Sequence, residues 1–252
     1  MGTSADGGTI LALEDVVSGY GKLTVLNGTS FTVARGAITT IIGPNGAGKS
    51  TVFKAVFGLL PVARGRVVFD GRGITNAGPR RLLESGISYV PQGRNIFPEL
   101  SVRHNLELGA TAAGDHAGAR IESAMERFPV LRRRAGAQAS TLSGGEQKQL
   151  EIARSLLLDP KLMLIDEPSI GLSPRLVNEI FDILGELRAK GVSILLVEQN
   201  ARRALEISDF GIVLEMGRTR ITGGARAILA DPRIGQLFLG GGLSGEAAAG
   251  GS

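Results

Sequence analysis

Nine consecutive residues, Gly43-Pro44-Asn45-Gly46-Ala47-Gly48-Lys49-Ser50-Thr51, have the types and spacing to hold a polyphosphate. They fit the pattern G-x-x-x-x-G-K-[ST]. Glycines let backbone N–H groups curl around a phosphate without Cβ clashes, and the start of a following helix adds partial positive charge. In that arrangement Lys49 reaches the β- and γ-phosphates and the Ser50 hydroxyl holds Mg²⁺. A glycine-rich turn could arise by accident in a chain with 37 glycines. Residue frequencies nevertheless give the full pattern in only about one per cent of such chains. A second group, Asp166-Glu167, closes the apolar run Leu162-Met163-Leu164-Ile165. Acids at the carboxyl end of a buried parallel strand lie where ligands bind. Asp166 is placed to engage Mg²⁺ and Glu167 to orient or deprotonate a water attacking the γ-phosphate.

A third group is Leu142-Ser143-Gly144-Gly145-Glu146-Gln147. Ser143 and Glu146 have capping-box spacing, which starts a helix at this point. Gly144 and Gly145 strip side chains from its first turn and leave N–H groups open to a large anion. A capping box alone explains the serine and the glutamate. It does not explain two adjacent glycines, which weaken a helix unless something approaches closely.

These groups need particular elements to position them. The strand-like Ile38–Ile42 leads into the phosphate loop, and a helical pattern with Val52, Phe53, Val56, Leu59 and Leu60 on its apolar side follows. From Ile10 to Gly36, alternating stretches broken at Ser18–Gly21 and Asn27-Gly28 predict short strands joined by turns. Arg66–Phe69 with Asp70-Gly71 predicts a strand running into a tight turn. Gly86–Val90, Lys161–Ile165 and Ser193–Val197 predict further strands, and 210–215 with 219–222 a terminal hairpin. Between about Ser101 and Ser140 the pattern turns helical, with Ile121, Ala124, Met125 and Phe128 at helical spacing. That stretch reads as a helical subdomain, about 93–140, inserted into the α/β core. Helices are also expected at 144–158 and, with Ser173 as N-cap and Pro174 at its first position, up to Gly191. Residues 1–9 and 241–252 lack periodicity and read as tails, leaving one domain over 10–240.

Composition sets outer limits. The 252 residues are 43% hydrophobic and 21% charged, ordinary for a soluble globular protein. No run approaches the ~20 apolar residues of a membrane span, and the start has no basic, apolar signal-peptide pattern. With no cysteine, disulfides, iron–sulfur clusters and thiolate zinc sites are excluded. A net charge of +4 is a small excess, and Arg132-Arg133-Arg134 reads as a solvated helix end rather than a lipid site.

Taken together and in this order, the motifs resemble those of ATP-binding cassette (ABC) proteins, over about Leu11 to Gly240. The resemblance implies an α/β P-loop NTPase cassette with a mainly parallel sheet core, an N-terminal antiparallel β subdomain and an inserted helical subdomain. It makes Leu142–Gln147 the signature motif, Tyr20 the aromatic that stacks on adenine, and Gln92 a sensor of Mg²⁺ or the attacking water. Ser169-Ile170-Gly171-Leu172-Ser173 matches the D-loop. It also implies ATP and Mg²⁺ as ligands, with two cassettes sandwiching two ATP molecules head to tail. Lys49, Ser50 and Asp166 of one chain then face Ser143 and Gly145 of its partner.

The chain departs from the family at the switch position, where Gln199 stands in place of a histidine. Glutamine can donate a hydrogen bond to a γ-phosphate but cannot become cationic. Val197-Glu198-Gln199-Asn200, with Pro91–Arg94, Phe97, Phe128-Pro129 and Leu239-Gly240-Gly241, resembles LivF-type ATPases of branched-chain amino acid importers, whose relatives serve urea or short amides. That likeness implies a peripheral subunit at the cytoplasmic face of the membrane. Its partners are a homologous ATPase that keeps the histidine, two membrane permease subunits and, indirectly, a solute-binding protein. A heterodimer is favoured, with a homodimer as the alternative. An ABC ATPase acting on nucleic acid or ribosomes is the competing class. One phosphate loop, no cysteine, and Lys49 too close to Ser143 for a long coiled coil all argue against it. A non-hydrolysing subunit is the third reading, and Glu167 argues against that.

Overall fold

Two 12-residue strands open the described chain, residues 8–234 of a computed structural model: β1 (Thr9–Tyr20) and β2 (Leu23–Ala34). Gly8 and Thr9, expected in a tail, form a turn and the first strand residue, while the rest of that tail and 241–252 lie outside the described residues. The predicted break at Asn27-Gly28 is no chain reversal. The pairing runs Val16 to Thr29 and then Val17 to Asn27, so Gly28, at φ 83°, is an extra residue absorbed as a bulge inside β2.

β3 (Ile38–Ile42) enters the phosphate loop, and α1 (Lys49–Val56) leaves it. Val52, Phe53 and Val56 are buried, as expected. Leu59 and Leu60 do not continue that face. The helix has ended, Gly58 turns the chain at φ 69°, and Leu59 is 51% exposed. β4 (Val62–Phe69) then pairs with β1, and a turn at Asp70-Gly71, both at positive φ, returns the chain into β5 (Arg72–Gly73). The result is an antiparallel sheet in the order β2-β1-β4-β5.

After α2 (Pro79–Ser85) and β6 (Ile87–Val90) the chain is helical: α3 (Val102–Gly109), a 3₁₀ stretch, α4 (Ala117–Arg127) and α5 (Pro129–Arg133). The two ends of this stretch are stitched together, with the Val102 N–H donating to Ala137 and the Ala139 N–H to Leu100. Within it, Arg132 pairs with Glu122 and Arg134 donates to the Thr141 carbonyl, so much of the arginine run is spent on internal contacts.

α6 (Gly144–Leu156), β7 (Leu162–Asp166), α7 (Pro174–Ala189), β8 (Ser193–Val197) and α8 (Ala201–Glu206) follow. Ser173 does occupy the N-cap position of α7, but its side chain makes no capping bond, so Pro174 alone marks the start. β9 (Phe210–Glu215), β10 (Arg218–Gly224) and α9 (Ala225–Ala230) follow, and residues 232–234 are again helical. The second sheet runs β10-β9-β3-β8-β7-β6, parallel except at the β9–β10 hairpin.

Both faces of this sheet are covered, which is why β7 and β8 are buried at every position rather than alternating. Leu162 and Leu164 face the layer holding α1 and the antiparallel sheet, while Met163 and Ile165 face α6, α7 and the inserted helices. Among the described residues, no helix is long and apolar enough to cross a membrane.

Candidate functional site

The site lies along one edge of the parallel sheet. Because β6, β7, β8 and β3 are parallel neighbours, their carboxyl ends deliver Gln92, Asp166 with Glu167, Gln199, and the loop 43–51 side by side. The register keeps them level: Val90 pairs with Ile165, Asp166 with Val197, and Val197 with Ile41.

In the phosphate loop, a Cβ on Gly43 would lie 2.1 Å from the Leu214 carbonyl oxygen, so only glycine lets β9 pass this close. Gly48 stands at φ 102° as the N-cap of α1 and offers no side-chain cap. The first-turn N–H groups of α1 therefore meet no capping group of their own, the local condition for an anion cradle. Pro44 accepts from the Ala47 N–H at 3.1 Å, which closes the loop around Asn45 and Gly46. Lys49 is buried, and its Nζ donates to the Gly43 and Pro44 carbonyls at 2.9 and 3.1 Å. Burial pushes the Lys49 ammonium below its ordinary pKa, while the charges of Glu167 and Asp166 oppose that. Thr51 is buried on α1 directly behind Ser50.

Ser50 Oγ donates to Asp166 Oδ1 at 3.3 Å. Burial raises the Asp166 pKa, the Ser50 bond opposes it, and the Glu167 charge adds to the rise. A hydroxyl and a carboxylate at the mouth of an anion cradle form the hard oxygen donor set that suits Mg²⁺ shared with phosphates. Glu167 sits in left-handed backbone at φ 46°, strained for a residue with a side chain. Its N–H donates to the Val197 carbonyl at 2.8 Å, and its carboxylate accepts from Gln92 Nε2 at 2.9 Å. Gln199 is exposed at the end of β8, between the phosphate loop and the acids. Tyr20, 43% exposed, is tied in through Lys54 of α1, whose Nζ lies 3.2 Å from the phenol oxygen and 5.4 Å from the ring centre.

Ser143, Gly144 and Gly145 form a different part. The capping box is complete: the Ser143 N–H donates to Glu146 at 2.8 Å, and the Glu146 N–H donates to Ser143 Oγ at 3.4 Å. The paired glycines have close neighbours within the same chain, Leu172 just before α7 and Leu176 on it. A Cβ on Gly145 would lie 2.6 Å from Leu176 Cδ2, and one on Gly144 would lie 3.3 Å from Leu172 Cδ2. Among the described residues, no hydrogen bond or ion pair joins these three to the loop 43–51.

Three neighbours of the site had no assigned role in the sequence reading. The Tyr89 hydroxyl donates to Asp166 Oδ2 at 3.5 Å from a ring packed edge-on against Phe53. Lys54 reaches both Tyr20 and the field of Asp166. Glu198 is buried beneath Gln199. Its signal was present, since Ile194-Leu195-Leu196-Val197-Glu198 repeats the pattern of an apolar strand ending in an acid. Nothing local marks Tyr89 or Lys54, whose positions come from sheet packing.

A phosphate loop, a strand-end Asp-Glu pair, an antiparallel β layer and an inserted helical layer define a P-loop nucleotide-binding cassette. The family model "ABC transporter" matches residues 26–170. BraG of Pseudomonas aeruginosa, a high-affinity branched-chain amino acid transport ATP-binding protein, is 39% identical over 233 residues, 92% of this chain and 100% of the relative. LivF of Archaeoglobus fulgidus, a probable branched-chain amino acid transport ATP-binding protein, is 39% identical over 225 residues, covering 88% and 95%. The ADP conformation of MJ1267, an ATP-binding cassette of an ABC transporter, matches with a TM-score of 0.83 at 32% identity, over 92% of this chain and 99% of that one. The chain belongs to the ABC transporter family and is an ATPase of that family.

Proposed function

We propose that this chain is the ATP-hydrolysing subunit of an importer and couples hydrolysis to the uptake of branched-chain amino acids. The observation that carries the solute class is the near full-length, 39% identity to BraG and LivF. In this reading the first-turn amides of α1 and Lys49 hold the β- and γ-phosphates of ATP, and Tyr20 stacks on the adenine. Ser50 and Asp166, with Gln92, hold Mg²⁺, which when bound neutralises charge developing on the phosphates. Glu167 orients a water and accepts its proton as the water oxygen bonds to the γ-phosphorus and the bond to the ADP oxygen breaks. Gln92 spans the acid and the helical insert, so loss of the γ-phosphate shifts both. Gln199 donates to a γ-phosphate oxygen.

The other wall of the site is the signature segment Ser143–Gly145 of a second, homologous cassette, which makes a dimer the functional unit. A cleft of about 320 Å³ between the core and the insert, lined by Leu83, Tyr89, Asn95, Leu108 and Arg154 among others, adjoins the Gln92 segment. There the chain docks a membrane permease subunit at the cytoplasmic face of the membrane. A solute-binding protein acts through those permeases. The test is purification with the membrane subunits and solute-stimulated ATPase assays with leucine, urea and amides. Stimulation by leucine supports the reading, and stimulation by urea alone overturns the solute class. Glu167→Gln should lose at least ~100-fold in turnover while keeping ATP bound, and full turnover in that variant would remove the catalytic assignment.

A further inference from the structure

Glu198 is 2% exposed and follows the last residue of β8. Three donors converge on its carboxylate. The Ser169 N–H reaches Oε1 at 3.0 Å, the Ser169 hydroxyl reaches Oε2 at 2.8 Å, and the Gln199 N–H reaches Oε2 at 3.1 Å. Two of these donors belong to the loop 168–173, which follows Glu167, and the third belongs to the backbone of Gln199. Among the described residues, every hydrogen bond from 168–173 to 198–200 runs through this one side chain.

A buried carboxylate is costly unless its lone pairs are satisfied, and a solvent-facing polar residue would join two loop ends at less cost. Burial pushes the Glu198 pKa up, the Ser169 and Gln199 bonds oppose that, and the nearby Glu167 charge adds to the rise. Charge-assisted bonds to backbone N–H groups are short, directional and roughly twice as strong as neutral ones. The arrangement therefore holds two loop backbones at a set separation, beside the one further tie from the Glu167 N–H to the Val197 carbonyl.

We propose that Glu198 is a positioning residue for hydrolysis, its carboxylate locking the loop 168–173 to Gln199 so that the two take up their reactive arrangement together. This rests on the reading of Gln199 as a γ-phosphate contact. The Glu198 carboxylate is buried and taken up by these three protein donors, so its loss acts on kcat and not on nucleotide affinity.

The test is Glu198→Gln in the complex purified through a tag on this chain, with ATP binding and urea unfolding followed on the isolated full-length chain. Glutamine keeps the shape but turns an NH₂ toward at least one of the three donors. Turnover should fall ~10-fold or more, with ATP affinity within ~2-fold of wild type. The urea midpoint should not fall, because the amide avoids the cost of burying a charge. Ser169→Ala should lower kcat less, and adding it to Glu198→Gln should cost nothing further, because both remove one linkage. Glu198→Asp, which keeps the charge, should recover part of the rate.

Wild-type kcat in Glu198→Gln overturns the inference, as does a loss that follows ATP affinity or the folded fraction. Additive losses in the double variant do the same. Glu167→Gln is run in parallel. Turnover retained there removes the hydrolytic reading itself, whereas a dead Glu167→Gln beside a fully active Glu198→Gln removes only this inference.

Discussion

Gly145→Ala separates two reasons for a glycine in the first turn of α6. Its Cβ would lie 2.6 Å from Leu176 Cδ2, 3.0 Å from Cδ1 and 3.2 Å from Cγ, all inside normal carbon contact. Forcing a methyl into such a contact costs ~1–3 kcal/mol. Leu176 is only half-buried, so its branch can turn away and the low end of that range applies. Alanine also regains up to ~1 kcal/mol of helix propensity over glycine, less near a helix start. The net is a destabilisation of ~0.5 kcal/mol, or a fall in Tm of ~1–2 °C for a chain of this size. The diagnostic is the sign. In a Leu176→Ala background the obstacle is gone, and Gly145→Ala should stabilise instead. Thermal and urea unfolding of the four proteins in this cycle measure it. An effect of the same sign and size in both backgrounds would refute the packing explanation. ATPase activity adds a second axis: if a partner's nucleotide also presses on Gly145, turnover stays low in the double variant after its stability has recovered.

Gln199→His should leave turnover intact or raise it, since histidine at that position can also donate to a γ-phosphate. A large loss in steady-state ATPase would show that the glutamine has a role of its own. Asp70 accepts from Lys161 and Arg35, and these bonds hold its carboxyl at a pKa of about 2, below the ordinary 3.8. The stability this contributes is present above the unfolded-state pKa and is lost as pH falls through the folded one. Asp70→Asn should therefore lower the urea midpoint at pH 6, and the gap to wild type should shrink as pH is lowered from about 4 towards 2. A gap that does not change with pH would show that the carboxylate charge is not what stabilises the chain.

Most of the fold was legible because its signals are local. Four-residue apolar runs, Leu162–Ile165 and Ile194–Val197, mark β7 and β8, Pro174 marks the start of α7, and the Ser143–Glu146 spacing marks the start of α6. The misses have the opposite origin. Asn27-Gly28 has the local chemistry of a turn, but cross-strand pairing with β1 on one side and the Met216-Gly217 turn between β9 and β10 on the other holds it in line as a bulge. Leu59 and Leu60 extend the apolar period of α1, yet Gly58 and the approach of Ala77 end the helix first. α2, α8 and α9 were not foreseen, because six- or seven-residue helices carry too few periods to register.

The chain's sequence by itself determined the chemistry: a glycine loop ending in Lys49 and Ser50, acids after an apolar strand, and a glutamine at the switch position. Those depend on residue type and short spacing, which a linear pattern carries in full. Tertiary structure alone decided which backbones come within contact distance. It brought β9 against Gly43, Tyr89 against Asp166, Leu176 against Gly145, and Ser169 onto Glu198. Each of these contacts joins residues on different elements, and their meeting depends on sheet order, strand register and helix packing. No window of sequence contains them.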